Sequence, residues 1–127
     1  VMAVKDGMLA RGYGRIVCIS SIAALRRRPR NLAYATSKAA VIAFVRNAAT
    51  DLAPAVRINA VAPGLIETDM IVSMDPARRE AMVQETPMGR IGQPEEIAEM
   101  TLFLLSERSS FTTGQTLIAS GGRVTLP

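Results

Sequence analysis

Arg15-Ile16-Val17-Cys18-Ile19-Ser20 is a short run of apolar and β-branched side chains, bounded by Gly12-Tyr13-Gly14 before it and by a second serine, Ser21, after it. So short and continuous a run suits a strand buried on both faces, as in parallel sheets. Its surroundings decide between strand and helix. Upstream, residues 2–11 read as the tail of a helix closed by the glycines. Downstream, from about Leu32 to Leu52, Val41, Phe44, Val45, Ala48 and Leu52 recur at the spacing of one helical face. Pro54 helps to stop that helix. Val56-Arg57-Ile58-Asn59-Ala60-Val61 is a second β-rich run, ended by Pro63-Gly64. A helical piece lies near Pro76–Gln84. Pro94-Glu95-Glu96 opens another helix, because proline fits the first turn and acids complement the dipole there. Ile97, Met100, Thr101, Leu104 and Leu105 continue it. Thr116-Leu117-Ile118-Ala119, between Gly114 and Gly121-Gly122, reads as a third strand. Strands joined by helical crossovers run parallel, so the expected class is α/β, a parallel sheet with helices on its faces.

The chain has 127 residues, 49% of them apolar and 20% charged, the balance of one globular domain rather than of disorder. No run approaches the ~18 apolar residues of a membrane span, and the N-terminal stretch has no signal-peptide core. With no histidine and one cysteine, Cys18, neither the usual zinc sites nor a Ser-His-Asp triad can be assembled from it. A single cysteine also excludes an intrachain disulfide and suits a reducing compartment. Lysine and arginine number 15 against 11 acids, for a net charge of +4. The excess is densest at Arg26-Arg27-Arg28-Pro29-Arg30. A solvated loop is the plain reading of that run, although it could also steer an anionic substrate or touch nucleic acid. Two tyrosines, three phenylalanines and no tryptophan leave little for bases to stack on.

Ligands of open α/β sheets sit outside the carboxyl ends of the strands, here Ser20-Ser21, Ala62-Pro63-Gly64 and Ser120-Gly121-Gly122. The helix after the first strand offers Tyr34 and Lys38, four apart and on one face. A phenol has a pKa near 10, too high for easy proton exchange at neutral pH, and a neighbouring ammonium favours the phenolate. Ser21 could hold a carbonyl or hydroxyl oxygen against that phenol. Together the three would form a proton-transfer site for carbonyl reduction or alcohol oxidation. Each part alone is ordinary: Tyr and Lys at this spacing occur on many surface helices, and serines at strand ends are usually caps or turns.

In combination the residues resemble a known family. Gly14-Arg15-Ile16-Val17 through Ser20-Ser21, followed by Tyr34-Ala35-Thr36-Ser37-Lys38, is similar to the active-site segment of the short-chain dehydrogenase/reductases, serine and tyrosine thirteen residues apart in both. Arg57 through Met70, Pro87 through Ala98 and Thr113-Gly114-Gln115 resemble later segments of the same family. The wording Ile66-Glu67-Thr68-Asp69-Met70 is closest to 3-oxoacyl-acyl-carrier-protein reductases. The resemblance implies the C-terminal part of a Rossmann-like doubly wound sheet, about three strands with flanking helices. It implies that Tyr34 is the acid/base, that Lys38 lowers its pKa and bonds the nicotinamide ribose, and that Ser21 polarises the substrate carbonyl. Pro63 and Gly64 would approach the nicotinamide of NAD or NADP, with the Ile66 backbone and the Thr68 hydroxyl near its carboxamide or phosphates. Asn59 would tie backbone together rather than touch substrate. The partners implied are a small carbonyl or alcohol substrate and further copies of the chain in a homo-oligomer, in the cytoplasm and away from membranes.

Other parts of the family pattern are missing. No Gly-x-x-x-Gly-x-Gly turn for the pyrophosphate occurs in the sequence, and Ser120-Gly121-Gly122 stands where Asp-Gly-Gly is usual. Residues 1–127 are therefore expected to form one partial domain lacking the N-terminal dinucleotide-binding half. Alone, it should turn over negligibly, because the transition state needs a positioned cofactor. The strand at 15–20 would carry a bare edge open to pairing. Two alternatives follow: a non-catalytic half-domain that pairs through that edge, and an anion- or nucleic-acid-binding module using Arg26–Arg30. Substrate choice is expected to rest on residues 25–33 and 70–92, where Met74, Met82 and Met88 hint at an adaptable apolar lid.

Overall fold

The computed structural model describes residues 1–125, apart from the side chain of Met70. Its helices are α1 (Met2–Ala10), α2 (Leu32–Leu52), α3 (Asp69–Val72), α4 (Pro76–Gln84) and α5 (Pro94–Leu105). Its strands are β1 (Gly14–Ile19), β2 (Val56–Pro63) and β3 (Thr116–Ala119), in the parallel order β1-β2-β3. The expected parallel α/β architecture is therefore present.

The middle strand organises the rest. β2 is buried along nearly its whole length, with Arg57 and Asn59 as the polar residues of an otherwise apolar strand. Side chains alternate across a strand, so Val56, Ile58 and Ala60 point to one face. There they pack against Val45, Ala49 and Leu52 of α2, with Val41 and Ala48 beside them. Arg57 and Asn59 point to the other face, where Arg57 meets the backbone at the end of α5. Helices thus cover both faces.

Several details differ from expectation. β1 starts at Gly14 and stops at Ile19, one residue earlier at each end than the apolar run. β2 continues to Pro63 because residues 60–63 pair with β3, a long-range contact that no local pattern reveals. Phe44 leaves the core stripe and is 42% exposed: it precedes the fully buried Val45 by one position, about 100° around the helix. The short helix α3 and two 3-10 turns, Ile22–Ala24 and Glu107–Ser109, are additions. α2 ends as expected, its cap Ala53 being extended at ψ 151 before Pro54.

Because the strands are parallel, their carboxyl ends (Ile19, Pro63 and Ala119) open at one edge of the sheet. β1 and β3 are the edge strands, and the outer side of β1 has no ladder partner among the described residues.

Candidate active site

At the end of β1 the chain is clamped to α2 in both directions. The Ser20 hydroxyl donates to the Lys38 carbonyl at 2.7 Å, and the Lys38 ammonium donates to the Ile19 carbonyl at 3.0 Å. Ser20 is itself fixed to β2, its N–H donating to Val61 at 2.7 Å. The next residue, Ser21, caps the 3-10 turn by accepting from the Ala23 N–H at 3.1 Å. That bond uses an oxygen lone pair and leaves the hydroxyl proton to donate elsewhere. One turn before Lys38, the Tyr34 ring is half exposed, and the ammonium stands 5.8 Å from its centroid.

At the end of β2, the Gly64 N–H donates to Ala119 at 2.7 Å, and a Cβ on Gly64 would stand 2.7 Å from the Ser120 Cα. Glycine is needed there for close approach of two backbones. Two residues on, Ile66 forms a parallel bridge with Gly92, made by Glu67 N–H to Gly92 O at 2.8 Å and Gly92 N–H to Leu65 O at 3.0 Å. Both bonds use the neighbours of Ile66, so its own N–H and C=O face away from Gly92. Thr68 opens α3 through its carbonyl, while its hydroxyl makes no capping bond.

These groups share one cleft of about 720 Å³, lined by all seven expected residues: Ser21, Tyr34, Lys38, Pro63, Gly64, Ile66 and Thr68. A second cavity of about 410 Å³ is lined by Ser120, Gly121 and Gly122 together with Met88. Of the three methionines expected at a lid, Met82 lines the larger cleft, Met88 the smaller cavity and Met74 neither.

The arginine run corrects the expectation of a solvated loop. Arg27 and Arg30 are exposed, but Arg26 and Arg28 are half-buried and line the cleft. The reason is a turn over residues 28–31, in which the Asn31 N–H donates to the Arg28 carbonyl at 3.3 Å and Arg30 takes φ +64. Arg123, which the sequence reading passed over, also lines the cleft. Its buried guanidinium pairs with Glu85 at 2.5 Å and donates to the Met82 carbonyl at 2.7 Å.

Two buried polar residues build the platform beneath. Asn59 donates to Thr112 O at 2.9 Å and accepts from the Gln115 N–H at 3.0 Å, the backbone tie expected of it. Arg57 was missed as a support. Its guanidinium lies among the carbonyls of Ser109 at 2.7 Å, Ser106 at 2.8 Å and Thr112 at 3.2 Å. Burial, and then repulsion by Arg15, lower its pKa. No group of three or more metal-ligating side chains occurs among the described residues.

Residues 1–123 match the family model described as enoyl-(acyl carrier protein) reductase. Among curated relatives, the uncharacterized oxidoreductase YmfI of Bacillus subtilis (strain 168) is 43% identical over 91% of this chain and 48% of its own. The 3-oxoacyl-[acyl-carrier-protein] reductase FabG of Aquifex aeolicus (strain VF5) is 41% identical over 91% of this chain and 47% of its own. Among solved structures, a 3-oxoacyl-[acyl-carrier protein] reductase from Brucella melitensis ATCC 23457 superposes with a TM-score of 0.92 at 40% identity, covering 98% of this chain and 47% of that one. A 7α-hydroxysteroid dehydrogenase, solved with NADH and 7-oxo glycochenodeoxycholic acid, gives 0.89 at 41% identity, covering 95% and 48%. The chain spans about half the length of the relatives it matches.

Proposed function

We propose that this chain, which belongs to the short-chain dehydrogenase/reductase family, carries the proton-transfer part of an NAD(P)-dependent reductase of 3-oxoacyl or similar carbonyl substrates. The observation that supports this most is the single cleft that gathers Ser21, Tyr34 and Lys38 with Gly64, Ile66 and Thr68. When bound, a nicotinamide dinucleotide would supply the hydride. The chain's own groups do the rest. Ser21 donates its free hydroxyl proton to the substrate oxygen, holding the carbonyl against the phenol. Tyr34 gives that oxygen a proton as negative charge develops on it. The Lys38 ammonium, one turn away, stands 5.8 Å from the ring centroid on the same face of α2. Its bond to the Ile19 carbonyl leaves two further N–H donors for a ribose hydroxyl.

The residues present fit the nicotinamide end of such a cofactor. The outward N–H and C=O of Ile66 form a donor–acceptor pair suited to a carboxamide, and Thr68 lines the same cleft. We assign the pyrophosphate seat to a glycine-rich N-terminal half, so that residues 1–127 constitute the C-terminal part of one doubly wound domain. NAD and NADP are both compatible with these residues. We place such an enzyme in the cytoplasm as a homo-oligomer; no helix among the described residues is long and apolar enough to cross a membrane.

The test joins residues 1–127 to the N-terminal half of a 3-oxoacyl reductase relative. Tyr34→Phe should abolish NAD(P)H-dependent reduction of a 3-oxoacyl thioester while leaving dinucleotide affinity nearly unchanged. Retained activity removes the acid/base assignment. Lys38→Met should weaken both, and an unchanged dinucleotide affinity would contradict the ribose contact. One observation favours a second reading: the open outer side of β1 suits a non-catalytic half-domain that adds a strand there.

A further inference from the structure

We propose that the substrate of this cleft carries an oxyanion, such as a carboxylate, besides its reacting carbonyl, and that Arg26 and Arg28 hold it. The inference rests on the carbonyl-reductase reading of the same cleft and narrows its substrate class. Four arginines stand in the run 26–30, yet only two face the cleft. The turn at Pro29-Arg30 sets that choice by placing a non-glycine residue in the left-handed region, a conformation kept where the surroundings impose it.

Charge in the cleft is unbalanced. Arg123 is matched by Glu85 at 2.5 Å, whereas the guanidiniums of Arg26 and Arg28 have no hydrogen-bond or carboxylate partner among the described residues. The Nε of Arg26 is buried and unpaired. Burial, and then repulsion by Arg123 and Arg28, lower the pKa of Arg26, with Glu85 partly opposing. An oxyanion between the two guanidiniums would relieve the repulsion between them, and a guanidinium pairs with a carboxylate by two parallel bonds.

Position assigns that anion to the substrate. Arg26 and Arg28 lie on the segment that runs from Ser21 to Tyr34, the two groups at the reacting oxygen. The groups that suit the cofactor, Gly64, Ile66 and Thr68, come instead from the end of β2.

The experiment titrates the 127-residue chain with 5-oxohexanoate and with its uncharged methyl ester, by calorimetry at constant ionic strength. The acid should bind about tenfold tighter than the ester or better. That preference should fall below about twofold in Arg26→Gln/Arg28→Gln and persist in Arg27→Gln, whose side chain is outside the cleft. Should the double variant fail to fold, raising KCl from about 20 to about 500 mM must weaken the acid and spare the ester in the unaltered chain. Equal binding of acid and ester, or an equal loss in Arg27→Gln, overturns the proposal. So does a double variant that, joined to the N-terminal half of a reductase relative, loses NADPH affinity while the 127-residue chain keeps its preference for the acid, since the two arginines would then serve the dinucleotide. Turnover in the completed enzyme separates the two readings. Reduction of ester and acid alike upholds the reductase and refutes the anion subsite. Preferential binding of the acid without any reduction does the reverse.

Discussion

Two glycines of this chain should respond to alanine with opposite signs, and the difference measures how tightly the floor of the cleft is closed. At Gly64 a new Cβ would stand 2.7 Å from the Ser120 Cα, 3.1 Å from its Cβ and 3.2 Å from its carbonyl oxygen. The nearest of these atoms is backbone, so no side-chain rotation relieves the clash. Reaching ordinary contact at 3.4 Å requires the ends of β2 and β3 to part by about 0.7 Å. The bond from the Gly64 N–H to Ala119, now 2.7 Å, would stretch toward the limit of a useful hydrogen bond. Overpacking of this kind costs about 1–3 kcal/mol, and the smaller entropy of the unfolded alanine chain returns about 0.4–1. The expected net loss is about 1–2 kcal/mol. Gly7, inside α1 with nothing within 4 Å of its would-be Cβ, has no such opposition. Gly7→Ala should stabilise by about 0.5–1 kcal/mol. Urea unfolding followed by circular dichroism reads both midpoints. A Gly64→Ala chain as stable as the parent refutes the close approach of the two strand ends, most directly if Gly7→Ala is raised as expected.

Other consequences can be read the same way. Arg57→Leu strips the carbonyls of Ser106, Ser109 and Thr112 of their buried donor and should cost about 3–5 kcal/mol in urea unfolding; a loss below about 1 kcal/mol would contradict the support role. Glu96 accepts from Arg90 at 2.6 and 2.7 Å and from the Gln93 N–H at 2.7 Å, which lowers its pKa from 4.5 to about 2. The unfolded chain therefore takes up the proton first as pH falls, so this stabilisation is whole above about pH 4.5 and lost on descending through about pH 2. The gap in urea midpoint between the parent and Glu96→Gln should close across that window, and a constant gap would rule the clamp out. Arg30 sits at φ +64, so Arg30→Gly should raise the melting temperature slightly and Arg30→Val should lower it by the equivalent of about 1 kcal/mol. Calorimetric scans showing the reverse order would refute the left-handed turn.

What the sequence revealed was local. Three strands and four helices lay in runs of a few residues whose period and punctuation suffice, and Ser21, Tyr34 and Lys38 stood at a spacing that one strand and one helix turn into proximity. The residues it concealed act across the chain. Arg57 reads as an ordinary charge in a strand, yet its partners are 47–55 positions away. Arg123 lies beyond the last strand and reaches back to Glu85 and Met82, 38 and 41 positions upstream. The arginine run misled for a related reason. Charge density says that a segment is solvated on average, but which of its members turn inward depends on the geometry of a turn whose Arg30 occupies a place that favours glycine.

The cleft is built in two materials, and the division has a chemical consequence. Ser20, Lys38, Gly64 and Ile66 are held by bonds between strand, helix and bridge that exist before any ligand arrives. Groups fixed in this way need no reorganisation as charge develops, the condition under which hydrogen bonds and an ammonium stabilise a transition state most. Arg26 and Arg28, which line the same cleft, belong to a segment outside the sheet ladder, held chiefly by one turn. Under the proposed function, substitutions in the first set should therefore alter rate or stability for every substrate, because they disturb what all substrates would share. Substitutions at the two arginines should alter which substrate is preferred and leave the proton-transfer geometry alone.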